Sequence, residues 1–296
     1  MTEERSRSVH VTGGSGFLGG FVIPLLVEGG YEVSALARTD AAADRLQTLG
    51  ANPIEGDLDS ASSIRDAFSS SRASNLVNLA SLGFGHAAPI VAAAEEAGLH
   101  RALFVSTTAI FTRLNAPSKA VRTEAERTIR ASNLQWTIIR PTMIYGTPGD
   151  RNMWRLLRLV SRVPVVPMPG GGHNLQQPVH VADLADAIVV ALGTDRAIDR
   201  AYDVGGPEPI SFRRILDDTG DAVGRSVKGI PIPHQPIVRF LTAVERRGKP
   251  LPLKAEQIER LVEDKAFDIS AARADLGYSP RSFAAGIAAE SRMHAT

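Results

Sequence analysis

One stretch of this chain decides its fold: Val9-His10-Val11-Thr12-Gly13-Gly14-Ser15-Gly16-Phe17-Leu18-Gly19. The first four residues are typical of a strand, and the apolar spacing from Phe17 to Val27 predicts a helix. A strand that turns through glycines into a helix leaves backbone N–H groups free at the positive end of the helix dipole, where they bind a pyrophosphate. Gly14 and Gly16 let the backbone turn and approach a ligand, and Gly19 lets the helix pack on the strand. The stretch therefore predicts nucleotide binding.

The composition excludes several other classes of protein. The chain has 296 residues, 44% hydrophobic and 22% charged, and can bury a sizeable core in one large domain or two small ones. A net charge of +1 gives no argument for nucleic acid or an acidic membrane as a partner. The absence of cysteine excludes disulfides and thiolate catalysis, and no histidines and acids have metal-ligand spacing. No stretch approaches about 18 apolar residues, so we expect a cytoplasmic protein.

Strand and helix patterns alternate through the first half of the chain at the pace of βαβ units. The predicted strands are Val9–Thr12, Tyr31–Ala37, Pro53–Asp57, Leu76–Ala80, Ala102–Ser106 and Trp136–Ile139. The predicted helices are Phe17–Val27, Ala41–Leu49, Ser60–Ser69, Pro89–Ala97 and Val121–Ile129. Pro24 interrupts the first helix, but the apolar stripe around it still predicts one. Six strands with helical crossovers predict an α/β fold, a Rossmann doubly wound parallel sheet with a smaller C-terminal substrate-binding lobe.

The alternation breaks up beyond the sixth predicted strand. The proline- and glycine-rich residues Pro164–Gly172 predict a loop, and Ala182–Leu192 predicts a helix that returns to the sheet. We assign residues 1–146 to a dinucleotide-binding core. Residues 147–296 form a mixed region, of which about 176–206 returns to the sheet and the rest forms the substrate-binding lobe.

The end of the second predicted strand bears on the choice of dinucleotide. An acid there accepts from the 2′-hydroxyl of NAD, whereas an arginine suits the 2′-phosphate of NADP. Here the strand runs into Arg38 and Thr39, with no acid before Asp40. Arg38 can bind a phosphate through its guanidinium fork and Thr39 can donate a further bond, although Arg38 could also be a solvated surface residue. We expect NADP as the cofactor and leave NAD open.

The third predicted strand leads into a candidate adenine site. Asp57 can accept from an adenine amino group, and Leu58 can cover the ring. The alternative is that this segment caps the next helix, since Asp59 and Ser60 are good N-cap residues. We expect the cap at Asp59 and the adenine contact at Asp57.

Five motifs together resemble the short-chain dehydrogenase/reductase superfamily, in its extended and atypical branch. This branch contains the NAD-dependent epimerase/dehydratase-like and complex I accessory-subunit-like proteins. In chain order the motifs are Thr12–Gly19, Gly56–Asp59, Phe104–Thr108, Arg140–Gly146 and Val179–Ala185, and they cover roughly residues 8 to 210. Their order along the chain matches that of the family and is far more specific than the glycine turn alone.

The resemblance implies positions for the cofactor and the substrate. Leu79-Ala80-Ser81 would line the cofactor, Pro141 would pass beside the nicotinamide, and Thr108 would hold the place of the hydrogen-bonding Ser/Thr of the superfamily. Residues 147–175 and the C-terminal lobe would form the substrate side. The predicted cofactor-binding residues are Gly13, Ser15, Gly16, Phe17, Leu18, Arg38, Thr39, Asp57, Leu58, Leu79, Ala80, Ser81, Ser106 and Pro141.

The chain departs from the family at the proton relay. Redox members usually pair a tyrosine with a lysine four residues later, which lowers the pKa of the phenol so that it can transfer a proton near neutral pH. The tyrosines here are Tyr31, Tyr145, Tyr202 and Tyr278, and the residues four positions after them are Ala35, Gly149, Gly206 and Ser282. The motif is therefore absent from the whole chain.

Two registers are open for the segment where the motif should lie. One puts Asn115 and Lys119 in the places of the tyrosine and lysine, and the other puts Ser118 and Arg122 there. The second needs no gap before Trp136 and is preferred. An alcohol has too high a pKa to replace a phenol and an arginine cannot give up its proton, which disfavours the usual relay.

A few residues could still contribute chemistry. The candidate catalytic residues are Thr108, which could polarise a carbonyl, Lys119, which could reach the ribose or substrate, Arg122 and Tyr145. Tyr145 has packing as its commoner role. The trio Asp150, Arg151 and Asn152 could bind a polar substrate or cap a helix, with neither preferred. His173 and His180 are candidate acid/base groups, and His180 lies between valines, which favours a structural role.

Three hypotheses follow. The first is an NAD(P)-binding oxidoreductase that acts on a small or medium organic substrate by hydride transfer with an atypical proton donor. The second is a catalytically silent nucleotide-binding protein, and the third is an isomerase, dehydratase or cyclase that uses the same pocket without net redox chemistry. The missing tyrosine favours the second and third. We expect a small-molecule substrate and neither nucleic acid nor membrane as a partner, and we leave a homodimer open.

Overall fold

A parallel sheet forms the centre of the computed structural model, which describes residues 7–114, 116–150, 152–247 and 255–295. Within these ranges the strands are β1 (Ser8–Thr12), β2 (Glu32–Ala37), β3 (Asn52–Glu55), β4 (Asn75–Asn78), β5 (Arg101–Val105), β6 (Gln135–Pro141), β7 (Ile144–Tyr145), β8 (Val165–Pro169), β9 (Leu175–Gln176), β10 (Val179–His180), β11 (Arg200–Val204), β12 (Ile210–Ser211) and β13 (Lys228–Ile232). The helices are α1 (Gly19–Glu28), α2 (Asp40–Thr48), α3 (Ala61–Ser71), α4 (Ala87–Glu96), α5 (Pro117–Arg130), α6 (Met153–Val160), α7 (Val181–Gly193), α8 (Phe212–Ala222), α9 (His234–Glu245), α10 (Ala255–Val262), α11 (Ser270–Leu276) and α12 (Phe283–Ala295).

The strand order of the main sheet is β3-β2-β1-β4-β5-β6-β11, and all neighbours in it are parallel. The chain builds outward from β1 on one side and then reverses at β4 to build the other. The predicted doubly wound Rossmann sheet is confirmed. In such sheets ligands bind at the carboxyl ends of the strands beside the point of reversal, which here lies between β1 and β4.

Each face of the sheet is covered by helices. One apolar core lies under α1 and α7, and the other lies under α3, α4 and α5. Because successive side chains of a strand point to opposite faces, Leu103 belongs to the first core and its neighbour Phe104 to the second. Pro24 lies inside α1, which continues through it as predicted. No helix of the described ranges has the length and apolar character needed to cross a bilayer.

The seventh strand is not among the six that were delimited from the sequence, although it lies in the segment, about 176–206, that was expected to return to the sheet. Strand β11 has the sequence Arg-Ala-Tyr-Asp-Val, whose charged residues interrupt the apolar run expected of a buried parallel strand. Its position explains this composition, because β11 lies at the edge of the sheet and pairs only with β6, with Tyr202 opposite Ile139. An edge strand tolerates polar residues that a central strand does not.

The loop predicted for Pro164–Gly172 is also wrong in part. Strand β8 lies inside it and pairs in parallel with β13. The amide of Lys228 donates to the carbonyl of Pro164 at 2.8 Å. Because alternate residues of a strand face the partner, Pro167 and Pro169 turn their nitrogens away from it and cost no ladder hydrogen bond.

The C-terminal lobe combines small sheets and helices. Strands β7 and β10, β9 and β12, and β8 and β13 each form a two-stranded sheet. Helices α6, α8 and α12 enclose an apolar cluster, and α9 packs on α10. After α10 the chain crosses back toward β9, where the amide of Lys265 donates to the carbonyl of Leu175 at 2.8 Å. This crossing carries residues from late in the sequence to the carboxyl edge of the sheet.

A buried histidine lies in the central strand β1. His10 is fully buried and its ring lies 4.9 Å from that of Phe68. Its Nδ1 atom lies 2.9 Å from Ser34 Oγ, and Nε2 has no partner among the described residues. Burial lowers the pKa of His10 to about 4. The imidazole is therefore neutral in the folded protein at neutral pH.

His10 should make the protein sensitive to acid. Its pKa is lower in the folded state than in the unfolded chain, so its contribution to stability is present above pH 6.5 and is lost as the pH falls towards 4. The loss can reach about 3 kcal/mol. We expect the free energy of unfolding of His10→Leu, measured by urea denaturation, to fall less over this window than that of the wild type. His100→Leu, at an exposed site, should keep the wild-type slope, and equal slopes for all three proteins would contradict the prediction.

Candidate active site at the reversal of strand order

The glycine turn touches the end of β4 through its backbone. Gly13 has φ of +72°, and a Cβ atom added there would lie 2.6 Å from the backbone nitrogen of Ala80. Only glycine combines this backbone conformation with so close an approach. The turn was expected to depend on Gly14 and Gly16, but the residue that must be glycine is Gly13. A Cβ on Gly14 would instead meet the side chain of Ile23 at 2.9 Å.

The start of α1 presents unpaired amides to the same crevice. A Cβ on Gly19 would overlap the carbonyl oxygen of Gly14, so the helix can begin here only without a side chain. No side chain caps the helix. Among the described residues, the amides of Ser15, Phe17 and Leu18 donate to no acceptor. This cradle fits a dinucleotide, because free amides at the positive end of a helix bind pyrophosphate oxygens.

The crowding at Gly19 can be tested against its neighbour. Gly19→Ala should lower the free energy of unfolding by roughly 2 kcal/mol or more through overpacking, and it should abolish dinucleotide binding. Gly20→Ala is the matched control, because its Cβ would meet only the end of the Arg45 side chain, at 3.4 Å. It should be neutral or stabilising by up to about 1 kcal/mol through helix propensity. Urea denaturation and calorimetric titration measure both effects, and similar losses in the two variants would refute the assignment.

Hydrogen bonds hold the other wall of the crevice in place. Thr12 donates from Oγ1 to Asn78 Oδ1 at 2.6 Å, and Asn78 donates from Nδ2 to the carbonyl of Ala80 at 3.0 Å. The amide of Leu79 donates to the carbonyl of Thr12 at 2.9 Å. The predicted lining residues 79–81 therefore lie directly beside the glycine turn. Ser81 is exposed there and its hydroxyl accepts from an amide two residues on.

Arg38 lies at the carboxyl end of β2 with its side chain 69% exposed. Its Nη1 atom is 3.9 Å from Asp59 Oδ2, and the other oxygen of Asp59 lies 2.9 Å from His86 Nε2. The cap predicted at Asp59 is wrong, because Ser60 caps α3 by accepting from the amide of Ser63 at 3.3 Å. The Asp59 carboxylate instead links the loops that follow β2 and β4.

The remaining predicted adenosine residues have local roles in the structure. Thr39 caps α2, because its hydroxyl accepts from the amide of Ala42 at 3.2 Å. Asp57 accepts from the amide of Asp59 at 3.0 Å, and Leu58 packs against the second apolar core. These contacts fix the two loops that face each other across the ends of β2 and β3.

Thr108 and Pro141 meet at the carboxyl ends of β5 and β6. Thr108 is buried at the start of a 3₁₀ turn, and its hydroxyl donates to the carbonyl of Pro141 at 3.3 Å. The Ser106 hydroxyl, in a residue predicted to bind the cofactor, donates to Glu126 Oε1 at 2.7 Å, which leaves its oxygen to accept. The Ser106 amide is also occupied, as it donates to the carbonyl of Ile139.

Glu126 belongs to a buried charged network that the sequence analysis did not detect. Both of its carboxylate oxygens accept from Arg140, at 2.9 Å from Nε and 2.6 Å from Nη2. Arg140 also lies 3.4 Å from Asp203. Burial raises the pKa of Asp203, and the Arg140 charge opposes this rise. The network ties α5 to β5, β6 and β11, and no local sequence pattern marks residues so far apart as partners.

Ser118 and Arg122 lie together in the first turns of α5. Arg122 Nη1 donates to Ser118 Oγ at 3.0 Å. The guanidinium lies against the turn after β4, where a Cβ on Gly83 would be 3.1 Å from Arg122 Nε. Lys119 points elsewhere, since its Nζ donates to the carbonyl of Thr112 at 2.6 Å. Asn115, required by the other register, lies outside the described residues.

None of the four tyrosines is placed to act as a proton donor. The catalytic role predicted for Tyr145 is wrong, because its side chain is fully buried. Its hydroxyl lies 3.5 Å from the carbonyl oxygen of Phe283, and burial raises its pKa. Tyr202 donates to Asp275 at 2.9 Å, and burial raises its pKa to about 12. Tyr278 donates to a carbonyl in the core, and Tyr31 precedes β2 at the opposite edge of the sheet.

The loop after β7 covers the glycine turn. Asp150 is buried and accepts from the amides of Gly146, Asn152 and Trp154, at 2.9 to 3.2 Å. This is the capping role, one of the two left open, while Arg151 lies outside the described residues. A Cβ on Gly149 would lie 3.0 Å from the ring of Phe17. Asp150 therefore fixes a loop that contacts the predicted pyrophosphate site.

Two further ionisable residues, Glu290 and His180, lie beside the loop that follows β7. Glu290 of α12 is fully buried, and burial together with the charge of Asp150 raises its pKa to about 9. His180 accepts on Nδ1 from the amide of Ala182 at 3.2 Å, so its predicted structural role is confirmed. His173 is exposed, and its ring lies beside Gly171.

The fold and the glycine cradle define a Rossmann protein that binds a nicotinamide dinucleotide. A family model described as NAD(P)H-binding matches residues 13–195, more than half of the chain, and the protein belongs to that family. The resemblance to extended short-chain dehydrogenases/reductases is confirmed by its relatives, which include a UDP-glucose 4-epimerase of Vibrio cholerae, 27% identical over 165 residues.

Relatives differ in how much of each protein they share with this chain. An Arabidopsis thaliana mitochondrial NADH dehydrogenase 1 alpha subcomplex subunit 9 is 29% identical over 177 residues, which are 57% of this chain but only 42% of that protein. A 2-alkyl-3-oxoalkanoate reductase of Stenotrophomonas maltophilia is 26% identical over 92% of this chain and 94% of its own length. A Mycobacterium tuberculosis 3 beta-hydroxysteroid dehydrogenase/isomerase is 27% identical over 95% and 88%.

Solved structures share the fold at lower identity. The structure of gox2253 is 20% identical, covers 98% of each chain and has a TM-score of 0.79. The Thermotoga maritima UDP-glucose 4-epimerase with UDP-glucose is 16% identical, covers 97% of this chain and 98% of its own, and has a TM-score of 0.75. At these identities the likeness establishes the architecture alone.

Proposed function

We propose that this member of the NAD(P)-binding family is an NADP(H)-dependent oxidoreductase that reduces a small or medium organic carbonyl compound. The observation that carries the proposal is the crevice between β1 and β4, where Gly13 touches Ala80 and the amides of Ser15, Phe17 and Leu18 are free. The reductase of Stenotrophomonas maltophilia, similar over nearly its whole length, supports redox chemistry over the alternatives.

Different residues of the crevice would bind different parts of the cofactor. The free amides of the glycine turn would bind the pyrophosphate, Asp57 and Leu58 the adenine, and residues 79–81 with Pro141 the nicotinamide half. The bound cofactor supplies a hydride donor or acceptor. The protein positions it and excludes water, and the loop fixed by Asp150 closes over the turn from the C-terminal side.

The preference for NADP rests on Arg38. Its ion pair with Asp59 is long, at 3.9 Å, and exposed, so it contributes little stability and can give way to a phosphate. A guanidinium binds phosphate oxygens through two parallel hydrogen bonds. No acid takes the position that would favour the 2′-hydroxyl of NAD, because the strand runs into Arg38 and Thr39.

The proton must come from a group other than tyrosine. Thr108 can donate its hydroxyl hydrogen to a carbonyl in place of the Pro141 oxygen that it now contacts. Ser118 can donate as well, because its oxygen accepts from Arg122 and its own hydrogen remains available. Neither hydroxyl releases its proton near neutral pH. These groups polarise the carbonyl, and water supplies the proton.

The missing tyrosine favours an isomerase, dehydratase or cyclase as the second candidate.

The assignment of Arg38 is tested by cofactor titration. We expect the wild type to bind NADPH more tightly than NADH in fluorescence titrations. Arg38→Ala should weaken NADPH by about 10- to 100-fold, the worth of a charge-assisted hydrogen bond, and leave NADH nearly unchanged. Arg65→Ala is the matched control, since Arg65 also forms a long exposed ion pair, at 3.8 Å from Glu96. Tighter binding of NADH by the wild type, or equal losses of both cofactors in Arg38→Ala, would refute the role.

The redox proposal is tested by turnover. With a panel of simple ketones we expect slow oxidation of NADPH, followed at its absorbance maximum, because no tyrosine relay is present. Thr108→Ala should lower kcat/KM about 100-fold by removing a hydrogen-bond donor. Thr123→Ala, which removes an exposed hydroxyl of α5, should leave the rate unchanged. Rapid turnover that survives Thr108→Ala would show a proton donor elsewhere, and no turnover of any carbonyl would favour the non-redox alternatives.

A further inference from the structure

Two phenylalanines follow neighbouring strands at the carboxyl edge of the sheet. Phe84 ends the 3₁₀ turn Leu82–Phe84 after β4, and Phe111 ends the 3₁₀ turn Thr108–Phe111 after β5. Because β4 and β5 are parallel neighbours, both turns lie at the same edge, and both pack against α5. The first turn continues the cofactor wall and the second carries Thr108. The two phenylalanines therefore lie on the substrate side of the crevice.

Both rings are open to solvent. Within the described ranges Phe84 is the most exposed large apolar side chain, at 77%, and Phe111 is 48% exposed. The Phe111 ring is nevertheless held in place, because the Arg140 guanidinium lies 5.1 Å from its centroid and the Phe267 ring lies 6.0 Å from it. Arg140 is itself fixed by Glu126. Exposed apolar surface beside a crevice is typical of a ligand-binding site.

An open cavity of about 400 Å³ lies between α9, α10 and the residues that follow the Thr108–Phe111 turn. This cavity, the α9–α10 groove, has the apolar side chains of Leu114, Val238 and Val262 in its lining. Sites for small molecules have volumes of about 300–1,000 Å³ and are lined mainly by apolar side chains. The groove is therefore large enough to hold part of an organic substrate.

Hydrogen bonds hold the α9–α10 groove beside the turn that carries Thr108. Glu263, directly after α10, accepts from the hydroxyl of Thr112 at 2.6 Å and from the amide of Arg113 at 2.7 Å. Leu114 follows Thr108 by six residues, which limits the distance between their Cα atoms to about 21 Å. The 3₁₀ turn shortens this distance further, because it rises only about 2 Å per residue. A single medium-sized molecule can therefore contact Thr108 and the groove together.

The formal charges in the lining of the groove balance. The charged lining residues are two of each sign: Arg113, Arg239, Glu259 and Glu263. The polar residues His234 and Gln235 complete the lining. A balanced set of charges gives no net attraction to an anion or a cation, whereas the apolar side chains favour a neutral chain that leaves water.

We propose that the substrate is a neutral ketone with an apolar chain, whose carbonyl oxygen lies at Thr108 and whose chain contacts Phe84 and Phe111 and extends into the α9–α10 groove. This inference rests on the proposed oxidoreductase function. Each methylene group that the groove removes from water strengthens binding about fourfold. An apolar ligand other than the substrate is the second source of such a chain, and it would not depend on Thr108.

The test measures how affinity changes with the length of the chain. The NADP⁺ complex is used, because it cannot reduce the added ketone. Calorimetry measures the binding of 2-pentanone, 2-heptanone and 2-nonanone, and of 6-oxoheptanoate, in which a carboxylate replaces the terminal methyl group of 2-heptanone. The proteins are the wild type, Leu114→Asp, Val238→Asp, Phe84→Ala, Thr108→Val and the control Val190→Asp. Val190 lies on α7, which covers the sheet face opposite α5, and is 43% exposed.

We expect the affinity of the wild type to rise about fourfold with each added methylene group, and 2-heptanone to bind more tightly than 6-oxoheptanoate. Leu114→Asp and Val238→Asp should remove the gain from the longer chains, and Val190→Asp should keep it. Phe84→Ala should weaken 2-nonanone by about fourfold or more, the equivalent of one buried methylene group. Thr108→Val should weaken all three ketones by the same factor, about two- to tenfold, because it removes one hydrogen bond to the carbonyl.

Three results would overturn the inference. They are equal affinities of the wild type for the three ketones, tighter binding of 6-oxoheptanoate than of 2-heptanone, and a gain with chain length that survives both aspartate variants. Ketone affinities unchanged in Thr108→Val would assign the groove to an apolar ligand other than the substrate, which also contradicts the inference.

Circular dichroism identifies any variant that fails to fold. If Val238→Asp does not fold, Val238→Thr decides the role of that position, because it keeps the shape of valine, adds a hydroxyl and should reduce the gain with chain length. If the wild type binds no NADP(H), the proposed function fails, and the same titrations on the free protein decide the use of the groove independently.

Discussion

The structure depends on a close approach of backbone to backbone at the reversal of the sheet. Gly13 lies so near Ala80 that no Cβ fits between them, and Gly19 lies equally close to the carbonyl of Gly14. The strand, the turn and the helix are thereby fixed to one another without any side chain. A surface made of bare backbone offers amides at the positive end of a helix, which is the chemistry that recognises a pyrophosphate.

A second constraint fixes α5 against the sheet. Burying Glu126 and Arg140 without each other would leave an uncompensated charge, at a cost of about 3–5 kcal/mol. Together, with Ser106 and Asp203, they satisfy most of their hydrogen-bonding capacity.

The chemistry of the site depends on which side chains line the crevice once the glycine contacts and the Glu126–Arg140 network are in place. Three tyrosines are buried with their hydroxyls bonded to protein groups, and burial raises the pKa of each. Beside the ends of β5 and β6 and the start of α5 stand the hydroxyls of Thr108 and Ser118 and the guanidinium of Arg122. Such a set binds and polarises oxygen atoms, but it holds no group that exchanges a proton readily near neutral pH.

The sequence by itself determined the parts of this protein that are encoded locally. The six strands of its first half, their helices and the glycine turn follow from the period of apolar residues and from residues that only a tight turn requires. Only the tertiary structure decided the rest. Strand β11 contains charged residues, which its edge position tolerates and which hide the apolar pattern of a strand. Tyr145 packs against residues of the C-terminal lobe and therefore does not reach the site. Glu126 meets Arg140 because α5 packs beside β6, and contacts between distant residues leave no local pattern in the sequence.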